Sequence, residues 1–187
     1  MGPFIASIRL VIATMLICVA GYAAVIWTVG QVLTPETANG SLITRPDGTA
    51  IGSRLIAQKF TQPRYFWPRP SAVDYNGAGA GGSNKSPTSE DVMKRGAEIV
   101  AQYGATADNP LPPELAAASG GGLDPHISEH AALYQAVRVA QARGIPQSQV
   151  ETLIGDHVFS PGGPLTPDRL VNVLELNLAL DELGQAR

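Results

Sequence analysis

The sequence predicts an α+β protein: one N-terminal transmembrane helix followed by a small, loop-rich α+β extracytoplasmic domain. Three observations carry this. Residues 10–33 form an uncharged run of 24, in which eleven are Val, Ile or Leu. The remainder alternates strand-like and helix-like hydrophobic patterns bounded by capping residues. The chain also holds 20 glycines and 15 prolines among 187 residues, so turns and loops must occupy much of the folded part.

The apolar run comes first. As a helix it measures about 36 Å at about 1.5 Å per residue, enough to cross a hydrocarbon core of about 30 Å. A secretory signal has a shorter apolar core, and bulky Ile17 before Cys18 does not suit lipoprotein processing. Arg9 precedes the run, and the first charge after it is Glu36. The positive-inside rule therefore places residues 1–9 in the cytoplasm, 10–33 in the membrane and 34–187 outside, in the periplasm if the cell has one. Ala20, Ala24 and Thr28 repeat every four residues, a small-residue stripe suited to packing on a partner helix.

In the outer part, "SLITRPDGTAIGSRLIAQ" reads as a β-hairpin. Leu42 and Ile43 precede a Pro46-Asp47-Gly48 turn, and Ile51, Leu55 and Ile56 follow it. A long Pro- and Gly-rich segment comes next. Ser89 then caps a helix with Glu90 and Asp91 at its positive dipole end. A second loop leads to a helix capped by Ser128, lined on one side by Ala132, Ala136, Val137 and Ala140, and ended by Gly144. A third helix starts with Pro146 at its first position and carries Val150, Leu153 and Ile154. Near the end, Val171–Val173 reads as a short strand running into a helix. Asn84, Asp124 and Asn172 are read as turn or cap formers.

Composition excludes some chemistry. A net charge of −3 without a basic cluster argues against nucleic acid, and one cysteine allows neither an internal disulfide nor a thiolate zinc site. His126, Glu129 and His130 spell H-x-x-E-H, a zinc-peptidase pattern that needs both histidines on one helix face. With Pro125 before His126 and Ser128 as the N-cap, His126 falls outside the helix and that geometry fails. His157 is the other histidine, and no third ligand stands out. Gly77, Gly79 and Gly82 spell G-x-G-x-x-G, but no strand precedes and no helix follows. "GAGGSNKS" approaches a phosphate loop, yet Asn84 replaces its glycine and Pro87 interrupts the helix that should follow Lys85.

The segments "ANGSLI", "GSRLIAQKF", "YFWPRPSAVDYN", "GGSN", "SGGGLDPHIS", "ALYQAVRVAQARG" and "VNVLELNLALD" occur in that order after one N-terminal span. Together they resemble the C subunit of the Kdp-type potassium-transporting ATPase. The resemblance implies an accessory subunit of an ATP-driven, high-affinity potassium import complex. It would assemble the complex and act as a catalytic chaperone, raising the ATP affinity of the P-type ATPase subunit. Implied partners are that subunit, a channel-like potassium-binding subunit and a further small membrane subunit. ATP enters through the complex, potassium is the transported ion, and no structural metal is implied. On this reading Ala20, Ala24 and Thr28 dock on partner helices, and Tyr65, Phe66, Trp67 and Arg69 are rigid docking residues of the domain. Gln135 and Arg138 are the candidate nucleotide contacts, against the plainer reading of a solvated helix face. The alternative function is a membrane-anchored zinc hydrolase using the H-x-x-E-H stretch. Because ATP is cytoplasmic, an outside domain must act on it through packed membrane helices, or else the orientation is reversed.

Overall fold

A long apolar helix opens the chain in the computed structural model, which describes residues 2–185. The chain divides into two compact units between Ile51 and Gly52.

The first unit is dominated by α1 (Gly2–Met15), a π-helical stretch (Leu16–Gly21) and α2 (Tyr22–Leu33), continuous over 32 residues. The helix begins well before the uncharged run, so Arg9 stands on it rather than in front of it. Nothing from Ile5 to Arg9 breaks a helix, and Pro3 is tolerated in the first turn, where its missing N–H has no partner to lose. Its apolar residues face outward, Trp27 at 67% and Ile17 at 70% exposure. The threonine hydroxyls inside the run are satisfied locally: Thr14 donates to Leu10 O at 2.9 Å and Thr28 to Ala24 O at 2.7 Å. Such back-bonding keeps an apolar helix free of polar groups that lipid would leave unpaired. Pro35 follows the C-cap Thr34 and starts the single turn α3 (Pro35–Ala38). The expected hairpin follows, β1 (Leu42–Thr44) with β2 (Ala50–Ser53). Its turn is closed by Arg45 N donating to Thr49 O at 2.9 Å and Thr49 N to Asp47 Oδ1 at 2.8 Å, with Gly48 at φ +82°. Leu55 and Ile56 lie beyond the second strand.

The second unit begins with a long irregular segment that ends at Ser89. The Ser89 hydroxyl accepts from Val92 N at 3.3 Å and starts α4 (Glu90–Tyr103), which Gly104 ends in the left-handed region. One short turn, α5 (Pro113–Ala116), interrupts the next loop. Then β3 (His126–Ser128) leads into α6 (Glu129–Arg143), α7 (Gln147–Asp156), β4 (Leu170–Asn172) and α8 (Val173–Gln185). Strands β3 and β4 are antiparallel, pairing His126 with Asn172, Ile127 with Val171 and Ser128 with Leu170.

Both strands run directly into capped helices. Ser128 accepts from Ala131 N at 3.0 Å, and Asn172 Oδ1 accepts from Leu174 N and Glu175 N at 3.1 and 3.2 Å. The core lies where α6, α7 and α8 meet this ribbon, around Ile127, Val139, Val150, Ile154, Val171, Leu176 and Leu180. Two expectations change. The buried side of α6 is Ala132, Ala136, Val139 and Ala140, whereas Val137 is 45% exposed: one more residue turns the helix about 100° out of the core. Pro146 is the N-cap of α7 rather than its first helical residue.

Candidate docking surface

The Pro-rich segment before Ser89 has no strand partner, yet its backbone is held. Two side-chain amides act in place of a neighbouring strand. Asn177 Oδ1 accepts from Phe66 N at 2.8 Å while its Nδ2 donates to Phe66 O at 3.0 Å. Gln135 does the same for Trp67, accepting its N–H at 2.9 Å and donating to its carbonyl at 3.1 Å. Each amide turns one N–H and its oxygen to the carbonyl and N–H of a single backbone residue, leaving a further donor and lone pair for other partners. Both are buried, Gln135 to 1% and Asn177 to 2% exposure.

Arg138 completes the arrangement. Its guanidinium lies 3.7 Å from the Trp67 ring centre and donates to Pro63 O, Tyr65 O and Gln135 Oε1 at 2.6, 3.0 and 2.7 Å. Burial lowers its pKa to about 10, still well above neutrality, so the head remains a cation against the ring face. Trp67 in turn meets Tyr103 edge-on at 5.1 Å. Burial pushes the Tyr103 hydroxyl upward. Further along α6, Arg143 donates to Arg64 O, Leu180 O and Asp181 Oδ1, and Asp181 accepts from the Tyr65 hydroxyl at 2.9 Å.

The proposed docking residues therefore differ among themselves. Phe66 is fully enclosed in the core, which corrects the expectation that its side chain is offered to a partner. Tyr65, Trp67 and Arg69 are half-buried. Arg69 pairs with Asp124 at 3.2 Å, and Asp124 also accepts the His126 N–H at 3.0 Å. The Asp124 carboxyl is held below its ordinary value, first by the hydrogen bond from the His126 side chain, burial opposing. Gln135 and Arg138 do not form a solvated face. Their polar heads hold the strap over residues 63–67, and a ligand at either would compete with those bonds.

The glycine stretches also find a use. Gly81 N donates to Gly121 O at 2.9 Å, and a Cβ on Gly82 would stand 2.7 Å from Gly120 O. Gly122, at φ +70°, would bring a Cβ to 2.7 Å from Val73 Cγ2 and 2.9 Å from Gly81 O. Two glycine-rich loops thus pack backbone to backbone, neither a dinucleotide fold nor a phosphate cradle. Lys85 pairs with Asp91 at 2.8 Å.

For the H-x-x-E-H stretch, His126 sits on β3 with its ring edge-on to Phe159 at 5.2 Å, while His130 is exposed in the first turn of α6. Glu129 is ion-paired with Arg169, and His157 Nδ1 bonds Leu153 O at 2.8 Å. Among the described residues no group of three or more His, Cys, Asp or Glu could hold a metal. The zinc-hydrolase alternative is unsupported. Sequence reading missed Asn177, Arg143 and Asp181. Asn177 did leave a signal, a lone amide inside the run "VLELNLAL".

Among the described residues one helix is long and apolar enough to cross a membrane, with none of that stretch buried by its own chain; joined to a small α+β domain, it marks a membrane-anchored protein. The family described as KdpC, K+-transporting ATPase, c chain, matches residues 4–182, and the chain belongs to that family. It is 73% identical over 186 residues to the potassium-transporting ATPase KdpC subunit of Parvibaculum lavamentivorans, with 100% of both chains covered. The KdpC subunits of Geobacter metallireducens and Shewanella putrefaciens are each 43% identical, covering 95% and 96% of this chain and 96% and 91% of theirs.

Proposed function

We propose that the chain is the accessory subunit of an ATP-driven potassium import complex, anchored by its N-terminal helix in the inner membrane. Its partners are a P-type ATPase subunit, a channel-like potassium-binding subunit and a further small membrane subunit. The observation that carries the reading is the bare helix Gly2–Leu33, within a family match that runs from that helix to α8. A single span with Ala20, Ala24 and Thr28 on it has a use for neighbours, because close packing is what drives helix association in lipid. The half-buried Tyr65, Trp67 and Arg69 are the domain's docking residues. With the N-terminus cytoplasmic and residues 34–187 outside, the subunit raises ATP affinity as a catalytic chaperone without touching ATP. It binds one state of the pump more tightly and shifts the equilibrium toward it.

Cysteine labelling tests the orientation. Glu98 is exposed, and in a Cys18→Ser background Glu98→Cys supplies one reactive thiol. A membrane-impermeant maleimide should label it in intact cells. Protection until lysis would place the domain inside and restore direct nucleotide contact by Gln135 and Arg138. Co-purification tests the partnership: the tagged chain should bring down a P-type ATPase polypeptide in mild detergent, and Ala24→Leu should weaken that recovery. Recovery of the chain alone would overturn the proposal.

A further inference from the structure

Helix α4 only half-buries its apolar side, Tyr103 packing against the core while Met93 and Val100 stay open. It carries Val92, Met93, Ile99, Val100 and Tyr103, yet none of its residues is buried, and Met93 and Val100 are 58% and 40% exposed. A helix in a globular domain normally hides such a side against the core. Along its N-terminal half runs a cleft of about 540 Å³, between α4 and the turn at α5, lined by Lys85, Val92, Arg95, Gly96, Pro113 and Ala116 among others.

Two features of this cleft are costly for the isolated chain. Gly96 stands in the middle of α4, where glycine weakens a helix, and a Cβ there would meet nothing within 4 Å. No intrachain packing requires the glycine. Arg95 has neither an ion pair nor a hydrogen bond among the described residues, and its Nε is buried without a partner. Orphaned buried donors are rare and unfavourable. Lys85, the other cation lining the cleft, is already paired with Asp91, and no carboxylate lines it. An unpaired guanidinium, a point open to close approach and apolar walls together fit one kind of occupant.

We propose that the cleft between α4 and α5 receives a carboxylate-bearing polypeptide segment of a partner subunit, with Arg95 as its ion-pair anchor and Gly96 as the point of closest backbone approach. Charge complementarity selects the occupant. On a chain of net charge −3 this cleft presents one cation without an ion pair, Arg95, and no acid in its lining, so an acidic segment fits it and a basic or neutral one leaves Arg95 unpaired. The proposal rests on the subunit reading above and adds the surface and the chemistry of its partner.

The test uses the full chain expressed with its partners in membranes. A photo-reactive benzoylphenylalanine at Met93, beside the cleft, should cross-link to a peptide containing Asp or Glu from another subunit. Gly96→Leu and Arg95→Glu should each lower cross-link yield at least about tenfold, since losing one member of a buried charge pair or blocking the approach removes that much affinity. Gly96→Leu should at the same time raise the thermal stability of the purified chain, because leucine is a better helix former and its Cβ meets nothing within 4 Å. A stabilised variant with an unchanged cross-link overturns the proposal. So does a cross-link to lipid, to a second copy of this chain, or to a segment lacking acidic residues. If the wild-type chain recovers no partner at all, the subunit reading fails with it. If partners are recovered but no cross-link forms at Met93, only the α4 cleft is refuted.

Discussion

Replacing Gln135 by leucine should cost the second unit about 3 kcal/mol. Leucine preserves nearly all the volume at a position that is 1% exposed, so cavity formation contributes little. What is lost is polar. Trp67 N–H and C=O lose partners at 2.9 and 3.1 Å, and Arg138 loses an acceptor at 2.7 Å. A buried group left unsatisfied costs about 1–3 kcal/mol, and half-buried Trp67 recovers part of this from water. For a unit the size of residues 52–187 the midpoint should fall by roughly 10 °C. Of the two tryptophans only Trp67 lies in this unit, so in a Trp27→Phe background its fluorescence reports the strap directly. Urea titration in detergent followed by this signal measures the loss. Asn177→Leu should cost a similar amount. Because the two amides hold adjacent residues of one strap, the double variant should lose less than the sum of the singles. A Gln135→Leu loss below about 1 kcal/mol, or strict additivity, would refute the idea that these amides replace a strand.

Other outcomes follow from the same geometry. Gly122→Ala forces a Cβ into contact with Val73 and Gly81 in a left-handed backbone, and should destabilise by at least about 2 kcal/mol in the same titration. Asn172→Ala removes the α8 cap and the bond to Arg54 O at 2.8 Å; about 1–2 kcal/mol should be lost. Asp124 has a folded pKa below its unfolded value near about 3.9, so its stabilisation is present above that pH and disappears as pH falls through the lower value. Acid titrations of stability should show a shallower decline below pH of about 4 in Asp124→Asn than in the parent chain.

Much of the fold was legible because its signals are local. Ser89, Ser128 and Gly144 cap helices through backbone geometry that needs no distant partner, and Asp47-Gly48 does the same for the hairpin. The strand-to-helix passage at Val171 was visible, displaced by one residue. The rest depends on distant contacts. Three-residue β3 is too short for a period and exists because Ile127 pairs with Val171. Phe66, set among prolines and aromatics, carries no periodic mark of burial; it is enclosed because Asn177, 111 positions away, holds its backbone there. Gln135 and Arg138 looked like surface residues for the same reason: their partners are main-chain groups of an irregular segment, which no pattern of side chains announces. Val137 failed through arithmetic alone, since three apolar neighbours at four-residue spacing suggested a broader buried side than the helix has.

The π-helical stretch at Leu16–Gly21 has a consequence for how the anchor is indexed. A wide turn accommodates a residue more than an ordinary one, so deleting a single residue there should restore regular winding. Because the extra residue is absorbed within the same turn, the half carrying Ala24 and Thr28 would then keep its direction relative to the half carrying Arg9, whereas the same deletion in the regular winding of α1 or α2 would swivel it by about 100°. Inside the wide turn azimuth would hardly change; outside it would. The wide turn therefore takes up one extra residue without altering how the two halves are set, and a one-residue deletion scan through and beside it would read out whether neighbouring helices require that setting.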